Sequence, residues 1–440
     1  QLSAFLFGTY DGVAFASTAD NPNDPALTGD FKNDTQFTRF IASATYEGPR
    51  LRNRLSLTGD TSGLVFDTSA DRYAHFTAYG GGVRDELRYT IIEPLSIKAG
   101  GEYLYQWWDL AIKFPRPPKE GDPMMPSFTF DPPVETAGTY RVPNAAAWTA
   151  AEWQKGRWFL AAGGRYDGAL YNRSHIFQPR TEAKVTLGKN RVRATAGLYT
   201  RPPQYNDENL YPELKPERAW QFTLGGEREL REGLTAQATA FYTDRRGLIV
   251  YASNRADASN VDHPYVNRGT GRTYGAELLL TTRGPSHFAW LAYTLSRSVR
   301  RDAPEMAERL FDFDQTHNVI LVGSYRFGKQ KHWQAGARFQ LTTGKPWTPV
   351  TGSVFNSDLN YYRPTYGTLN SERTELQHQL DVRIDRTWFF NKWRMKAFLD
   401  VQNVYLHPAA YAYQYSYDYS QKDAIKTIPI LPSLGLRGEF

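Results

Sequence analysis

WRMKAFLDVQ, residues 393–402, decides the fold: Trp393, Met395, Ala397, Leu399 and Val401 alternate with Arg394, Lys396, Phe398, Asp400 and Gln402. In an extended backbone successive side chains point to opposite faces, so this segment is a strand with one apolar face and one face carrying charge of both signs. The period recurs. Val192, Ala194, Ala196 and Leu198 stand against Arg191, Arg193, Thr195 and Tyr199, and Leu380, Val382 and Ile384 against Gln379, Asp381, Arg383 and Asp385. Helical spacing of apolar residues is nowhere as persistent.

Following the period along the chain places strands at residues 1–15, 35–46, 51–59, 74–90, 96–109, 144–153, 158–168, 178–186 and 191–200. It continues through 217–228, 232–244, 270–281, 286–298, 315–327, 332–344, 374–386, 392–403 and 428–440, about 18 strands in all. The connections between them alternate in length. Tight ones fall at 47–49, 155–156, 188–190, 231–233, 283–285, 328–330 and 390–392, and long polar or aromatic ones at 110–143, 245–269, 345–373 and 404–427. In an up-and-down sheet alternate connections emerge at the same end, so one end has tight turns and the other large loops, as in outer-membrane barrels. A soluble β-sandwich would not sort its turns by parity, and a β-propeller would show a repeat of roughly 40 residues, which is not seen. The expectation is an all-β transmembrane antiparallel up-and-down β-barrel occupying residues 1–440 as a single domain. In lipid every backbone N–H and C=O must pair without water, which strands achieve only by closing on themselves.

Composition agrees. Aromatics are 15% of the 440 residues, with 11 Trp and 28 Tyr, while the mean hydropathy is a polar −0.57. Such a chain places its rings at chosen positions. There is no cysteine, so no disulfide framework or thiolate metal site. No run approaches the roughly 18 apolar residues of a membrane helix. The formal charge of +6 is not gathered into a basic block, which gives no reason to expect nucleic acid as a partner. The eight histidines are scattered without metal-ligand spacing, so neither a metal nor another cofactor is expected.

From about residue 197 onward the chain resembles the barrel of TonB-dependent outer-membrane transporters. The stretches that carry the resemblance are GLYTRPPQYNDENLYPELKPERAWQFTLGGERE (197–229), ATAFYTDRRGLIVY (238–251), NRGTGRTYGAELLL (267–280), FDQTHNVILVGSYRFG (313–328), GKPWTP (344–349), LDVRIDRTW (380–388) and FLDVQNVYLHP (398–408). The ending LPSLGLRGEF, with terminal Phe440 and Gly438, Leu436 and Leu434 in step behind it, looks like the strand signal read by the barrel-assembly machinery. The resemblance implies uptake of a scarce solute such as a ferric chelate, outer-membrane lipid around the barrel, a plug in the lumen and a TonB-type energy coupler acting through that plug. The family's barrel has 22 strands, a plug domain and a coupling box. Neither plug nor box is seen here, so three expectations stand: the missing parts are processed off, belong to a second polypeptide, or are absent. A passive porin or secretion conduit is the runner-up, and a structural or adhesion barrel the third reading.

Candidate residues follow. YAYQYSYDYS (411–420) sets Tyr411, Tyr413, Tyr415, Tyr417 and Tyr419 at every second position, so all five rings are expected on one side of a strand in the last long loop. With Trp347, Tyr361, Tyr362 and Tyr366 they form a candidate platform for an extracellular ligand; the alternative is that they extend the sheet beyond the membrane as an outer girdle or as loop packing, since Tyr suits an interface. Arg165, Asp167, Arg193, Asp381, Arg383, Asp385, Arg394, Lys396 and Asp400 fall on the inferred lumen face, as pairs neutralising one another or as a surface for a plug or an anionic solute. Trp153, Trp158, Trp388 and Trp393 flank two tight turns as an interfacial girdle. Asp312 and Asp314 have no nucleophile beside them, and His317 reads as a structural hydrogen-bonding residue, so no catalytic residue and no enzyme is expected. EGDPMMPSFTFDPP (120–133) reads as an irregular lid.

Overall fold

The computed structural model describes residues 1–17, 29–69, 72–114, 134–170, 174–203, 214–251, 265–358 and 361–439. The first strands are β1 (Leu2–Ser17), β2 (Gly29–Glu47), β3 (Leu51–Ser69), β4 (Arg72–Ile92), β5 (Leu95–Phe114), β6 (Val134–Lys155) and β7 (Trp158–Ala169). They continue as β8 (Ser174–Leu187), β9 (Asn190–Arg201), β10 (Glu217–Arg231), β11 (Leu234–Tyr251), β12 (Tyr265–Arg283) and β13 (His287–Arg301). Then come β14 (Arg309–Leu310), β15 (His317–Phe327), β16 (Trp333–Thr342), β17 (Pro346–Trp347), β18 (Val350–Asn356) and β19 (Tyr361–Tyr366). The last are β20 (Glu372–Arg373), β21 (Gln377–Phe389), β22 (Arg394–Gln402), β23 (Ala410–Tyr415), β24 (Lys422–Lys426) and β25 (Leu431–Glu439).

One antiparallel sheet of 19 strands makes the wall, each long strand pairing with the next in chain order. Setting aside the two-residue β14 leaves eighteen. The other six strands form three two-stranded hairpins, β17–β20, β18–β19 and β23–β24, within the last two long connections. β1 and β25 are the outer edges of the sheet and do not pair with each other among the described residues. Both the start of β1 and the end of β25 lie at the tight-turn end, where Leu2 faces Ala44 and Glu439 faces Arg394.

Tight turns gather at one end as their parity requires. At Gly156 and Gly233 the backbone has φ of +57° and +73°, a region that costs glycine nothing and other residues a Cβ clash. At the other end the connections are long, except where β3 ends at Ser69 before β4 at Arg72 and β7 ends at Ala169 before β8 at Ser174. Strands at the long-loop end run further than the sequence period indicates: β5 and β6 extend to Phe114 and from Val134, and β11 and β12 to Tyr251 and from Tyr265. Beyond the membrane both faces of a strand meet water, so pairing continues while the alternation fades. The stretch 120–133 lies outside the described residues.

Side-chain placement is that of a membrane wall. Large apolar residues are exposed on one face, with Leu434 at 81% and Leu436 at 74%, and Leu57, Leu399 and Ile384 in the same setting. A contiguous apolar surface of this extent is stable only against lipid or a partner. The opposite face is polar and lines the lumen. At the tight-turn end Trp153, Trp158, Trp388 and Trp393 lie on or beside strand ends, with the Trp393 ring stacked 4.4 Å from Phe390. Trp333 and Phe327 add a second stack at 6.4 Å on the neighbouring strands. Phe440 lies outside the described residues.

Candidate functional site

Two long connections converge at the long-loop end. The chain between β16 and β21 carries the β18–β19 hairpin and the Trp347 turn of β17, and the chain between β22 and β25 carries the β23–β24 hairpin. Hydrogen bonds tie them: the Val350 N–H donates to the Tyr415 hydroxyl at 3.3 Å and Ser353 Oγ to the Asp418 carbonyl at 2.7 Å. Between them is an aromatic cluster. The Trp347 ring centroid lies 4.7 Å from Tyr413 and 6.2 Å from Tyr415, while Tyr362 meets Tyr417 edge-on at 5.8 Å and Phe355 at 5.1 Å. Lys422, paired in register with Tyr415, sets its ammonium 4.7 Å from the Trp347 centroid and 4.5 Å from Tyr413. Burial, reinforced by Glu375 and Glu372, pushes the Tyr413 phenol up; burial also raises Tyr415. Both hydroxyls are therefore neutral hydrogen-bonding groups at neutral pH.

The expected five-ring comb is corrected here. A bulge between Ala410 and Ala412 breaks the register at Tyr411, and the strand ends at Tyr415. The next residues turn, with Ser416 N–H bonded to the Gln421 carbonyl at 3.0 Å, Tyr419 N–H to the Ser416 carbonyl at 2.9 Å, and Tyr419 at φ +59°. Asp418 makes the turn. Its Oδ1 accepts from Ser416 Oγ at 2.6 Å, Ser420 Oγ at 2.7 Å and Ser420 N–H at 3.1 Å, an Asx arrangement that competes with a ladder. Those donors hold its carboxyl down at about 2. Thus Tyr413 and Tyr415 meet Trp347, Tyr417 meets Tyr362, and Tyr419 lies 6.0 Å from Tyr415. Tyr411 is exposed. Tyr366 ends β19 opposite Val350, and Tyr361 opposes Asn356; the Tyr361 side chain lies outside the described set.

A polar knot underlies the cluster. Asp314, its side chain fully buried, accepts from the Ser298 N–H at 2.6 Å and from Arg373 Nη2 at 2.5 Å. Arg373 also donates to the Gly344 carbonyl at 2.9 Å. Beside it Arg309 bridges Asp302 at 2.8 Å and Asp312 at 3.0 Å, and the Asn370 amide donates to Asp312 at 2.6 Å. Asp312 and Asp314 therefore serve different partners and share no site. His317 stacks on Tyr293, its Nδ1 2.9 Å from the hydroxyl. The knot fixes the loop bases against β13, and so fixes where Trp347 stands. No sequence motif announces it, because partners such as Asp314 and Arg373 are 59 residues apart.

The nine charged residues expected in the lumen all lie on the polar face and all have partners. Arg165 holds Asp167 at 2.8 Å and also bonds Glu102, Arg193 holds Glu182 at 2.6 Å, and Arg394 binds Glu439. Arg383 bridges Asp385 at 3.0 Å and Asp400 at 3.5 Å, Lys396 reaches Asp385 at 3.1 Å, and Asp381 faces Arg338 at 3.4 Å. The arginines also lie flat on rings. Arg383 is 3.8 Å from the Phe398 centroid, and Arg84 and Arg165 are 4.7 and 5.2 Å from Trp148. Each of those rings covers a glycine of the adjacent strand, Gly435 under Phe398 and Gly100 under Trp148, the device by which an aromatic protects a bare backbone in a curved sheet. A groove of about 540 Å³ is lined by Arg338, Arg383 and Lys396 against Asp381, Asp385 and Asp400. Three cations meet three carboxylates, so this part of the wall does not select by sign. Toward the tight-turn mouth a cavity of about 370 Å³ is lined by Arg326, Lys331, Arg394, Lys396 and Arg437 with Glu439 as its carboxylate, and is basic.

A family model described as TonB dependent receptor-like, beta-barrel matches residues 2–424. No curated protein matches the sequence. Among solved structures, the Pseudomonas aeruginosa FpvA receptor bound to a heterologous ferric pyoverdine aligns with a TM-score of 0.67 at 13% identity, covering 100% of this chain and 63% of that one. The outer membrane transporter YddB from Escherichia coli gives 0.70 at 12%, covering 99% and 66%. The FrpB iron transporter from Neisseria meningitidis gives 0.67 at 14%, covering 99% and 69%. The chain thus spans about two thirds of the length of these structures, and at such identities the likeness establishes the architecture.

Proposed function

This chain belongs to the TonB-dependent receptor-like β-barrel family, and from that premise we propose that it is the transport barrel of an outer-membrane uptake system. The long-loop end faces outward and captures a scarce solute, a ferric chelate being the class in keeping with the FpvA and FrpB likenesses. The tight-turn end faces the periplasm. A plug-bearing segment or polypeptide gates the lumen and couples it to a TonB-type partner, and the barrel-assembly machinery inserts the sheet through its last strand. No chemistry is performed on the solute. The chain is a carrier.

The observation that carries this reading is the aromatic cluster built jointly by the β18–β19 and β23–β24 hairpins. Two loops that are separate in sequence bring Trp347, Tyr362, Tyr413, Tyr415 and Tyr417 together, with neutral phenols and ring faces suited to the aromatic or apolar surface of a chelate. A girdle role would need the rings on the lipid face of the wall, whereas these stand on loop hairpins outside the 19-stranded sheet; a role in loop packing alone would leave chelate affinity unchanged when Trp347 is replaced. Trp347→Ala removes the ring that Tyr413, Tyr415 and Lys422 all touch. The expected result is a loss of ferric-chelate binding of roughly five- to a hundredfold, from about 1–3 kcal/mol of stacking and cation–π contact, with heat-modifiable gel mobility unchanged. Titration of the purified protein with ferric catecholate, hydroxamate and carboxylate chelates, read by tryptophan quenching and calorimetry, supplies the number. Unaltered affinity in the variant would remove the cluster from the binding site.

A further inference from the structure

Arg386 differs from the lumen arginines, and among the arginines on the apolar parity, such as Arg228 and Arg297, it is set apart by the two indoles beside it. Its parity puts it with Val382, Ile384 and Trp388, on the apolar face, where its register partners are Trp333 of β16 and Ala397 of β22. The guanidinium carbon lies 4.9 Å from the Trp333 ring centroid and 5.1 Å from Trp388. Its Nε is buried without a hydrogen-bond partner, and no carboxylate pairs with it among the described residues. The lumen arginines Arg165 and Arg383, by contrast, each hold two acids.

An unpaired guanidinium on a lipid face is costly at mid-membrane, about 2–4 kcal/mol, and nearly free at the interface. Arg386 stands three residues before Phe389, the last of β21, roughly 10 Å along the strand from the rim. Its flexible stem can carry the charge to headgroup level. The two indoles flank the guanidinium and its Nε is buried, which leaves the terminal Nη donors as the edge that can take a partner. An anion must come to that edge from a medium that otherwise presents acyl chains to Ile384 and Ala397. The anion that arrives attached to acyl chains is a phosphodiester.

We propose that Arg386, flanked by Trp333 and Trp388, is a binding site for the headgroup phosphate of a phospholipid in the leaflet at the tight-turn end. It fixes the depth of the β16–β21–β22 sector in the membrane, next to the basic cavity at the mouth. The inference rests on the reading that the apolar face meets lipid, and it requires no solute; its failure would leave the uptake reading untouched, and the reverse also holds.

The test uses the full-length protein in micelles of an uncharged sugar detergent, with a phospholipid bearing a photoreactive diazirine beside its phosphate as probe. Labelled peptides are mapped after illumination. Labelling is expected on the segments holding Trp333 and Trp388, and a diacylglycerol carrying the same diazirine should label them about tenfold less. Arg386→Gln should lower the phospholipid yield about tenfold relative to the Trp153–Trp158 rim, the scale of one charge-assisted hydrogen bond, and Arg386→Lys should restore most of it. Excess inorganic phosphate should leave the yield unchanged. Equal labelling by the two probes on the wild-type protein overturns the site even if neither variant folds. So does loss of labelling to inorganic phosphate, which would make this a free-anion site, or an Arg386→Gln yield equal to wild type.

Discussion

Replacing Asp314 by Ala tests how the loop end is held. The carboxylate has no exposed surface and receives the Ser298 N–H at 2.6 Å and Arg373 at 2.5 Å. Removing it leaves a strand N–H unsatisfied, at about 1–3 kcal/mol, and deletes a charge-assisted bond of about 1.5–3 kcal/mol. Arg373 is 28% exposed and keeps its bond to the Gly344 carbonyl, so its charge finds water and the second figure belongs at its low end. The sum is about 3 kcal/mol, on the order of a hundredfold in a local opening equilibrium. The knot is peripheral to the wall, and the loss should appear there rather than in global unfolding. Amide exchange read by mass spectrometry is the assay. Peptides covering Ser298 and Asn370 should exchange on the order of a hundredfold faster in Asp314→Ala, with Asp314→Asn intermediate and the β22 amides unaffected. Exchange at Ser298 and Asn370 within threefold of wild type would refute the reasoning, and uniform acceleration across the wall would place the knot in the barrel's global stability instead.

Two further outcomes are expected. Asp418 is held below its ordinary value, at about 2, so the turn it caps is at full strength above about pH 4 and weakens as pH falls through about 2; near-ultraviolet circular dichroism of the tyrosine hairpin should be flat from pH 8 to 4 and change below 3, and a transition between pH 4 and 6 would contradict the assignment. Gly435→Ala puts a methyl where the Phe398 ring lies, driving the ring and the stacked Arg383 off the wall; an overpacking loss of about 1–3 kcal/mol should appear in urea titration of the reconstituted protein, and full stability would show that the ring can move aside freely.

What the sequence disclosed depended on how local the physics is. The wall was legible because each strand's alternation is written in neighbouring residues: Met395, Leu399 and Val401 meet lipid wherever β22 sits. Pairing was not, since Arg165 finds Glu102 and Arg193 finds Glu182 across strands whose register no local pattern contains. Strand length was underestimated at residues 134–143, where Glu135, Thr139 and Arg141 lie in the ladder with no apolar face to mark it. The tyrosine comb misled for a definite reason. Ser416, Asp418 and Ser420 occupy the interleaving positions, and a Ser-x-Asp-x-Ser run favours a turn whatever the rings do. Arg386, two residues past Ile384, was passed over in the sequence although it lies on the apolar parity; that an indole of the neighbouring strand flanks it required the β16 register.

The central claim is energised uptake through this barrel, and iron-55 accumulation tests it most directly. Cells lacking the gene, and the same cells with it restored, would be given catecholate, hydroxamate and carboxylate chelates under iron limitation, with and without collapse of the proton gradient. The account predicts that at least one chelate accumulates in a manner requiring both the protein and the gradient. Protein-dependent entry that persists after collapse would mean a passive channel, and accumulation independent of the protein for every chelate would contradict the ferric-chelate assignment.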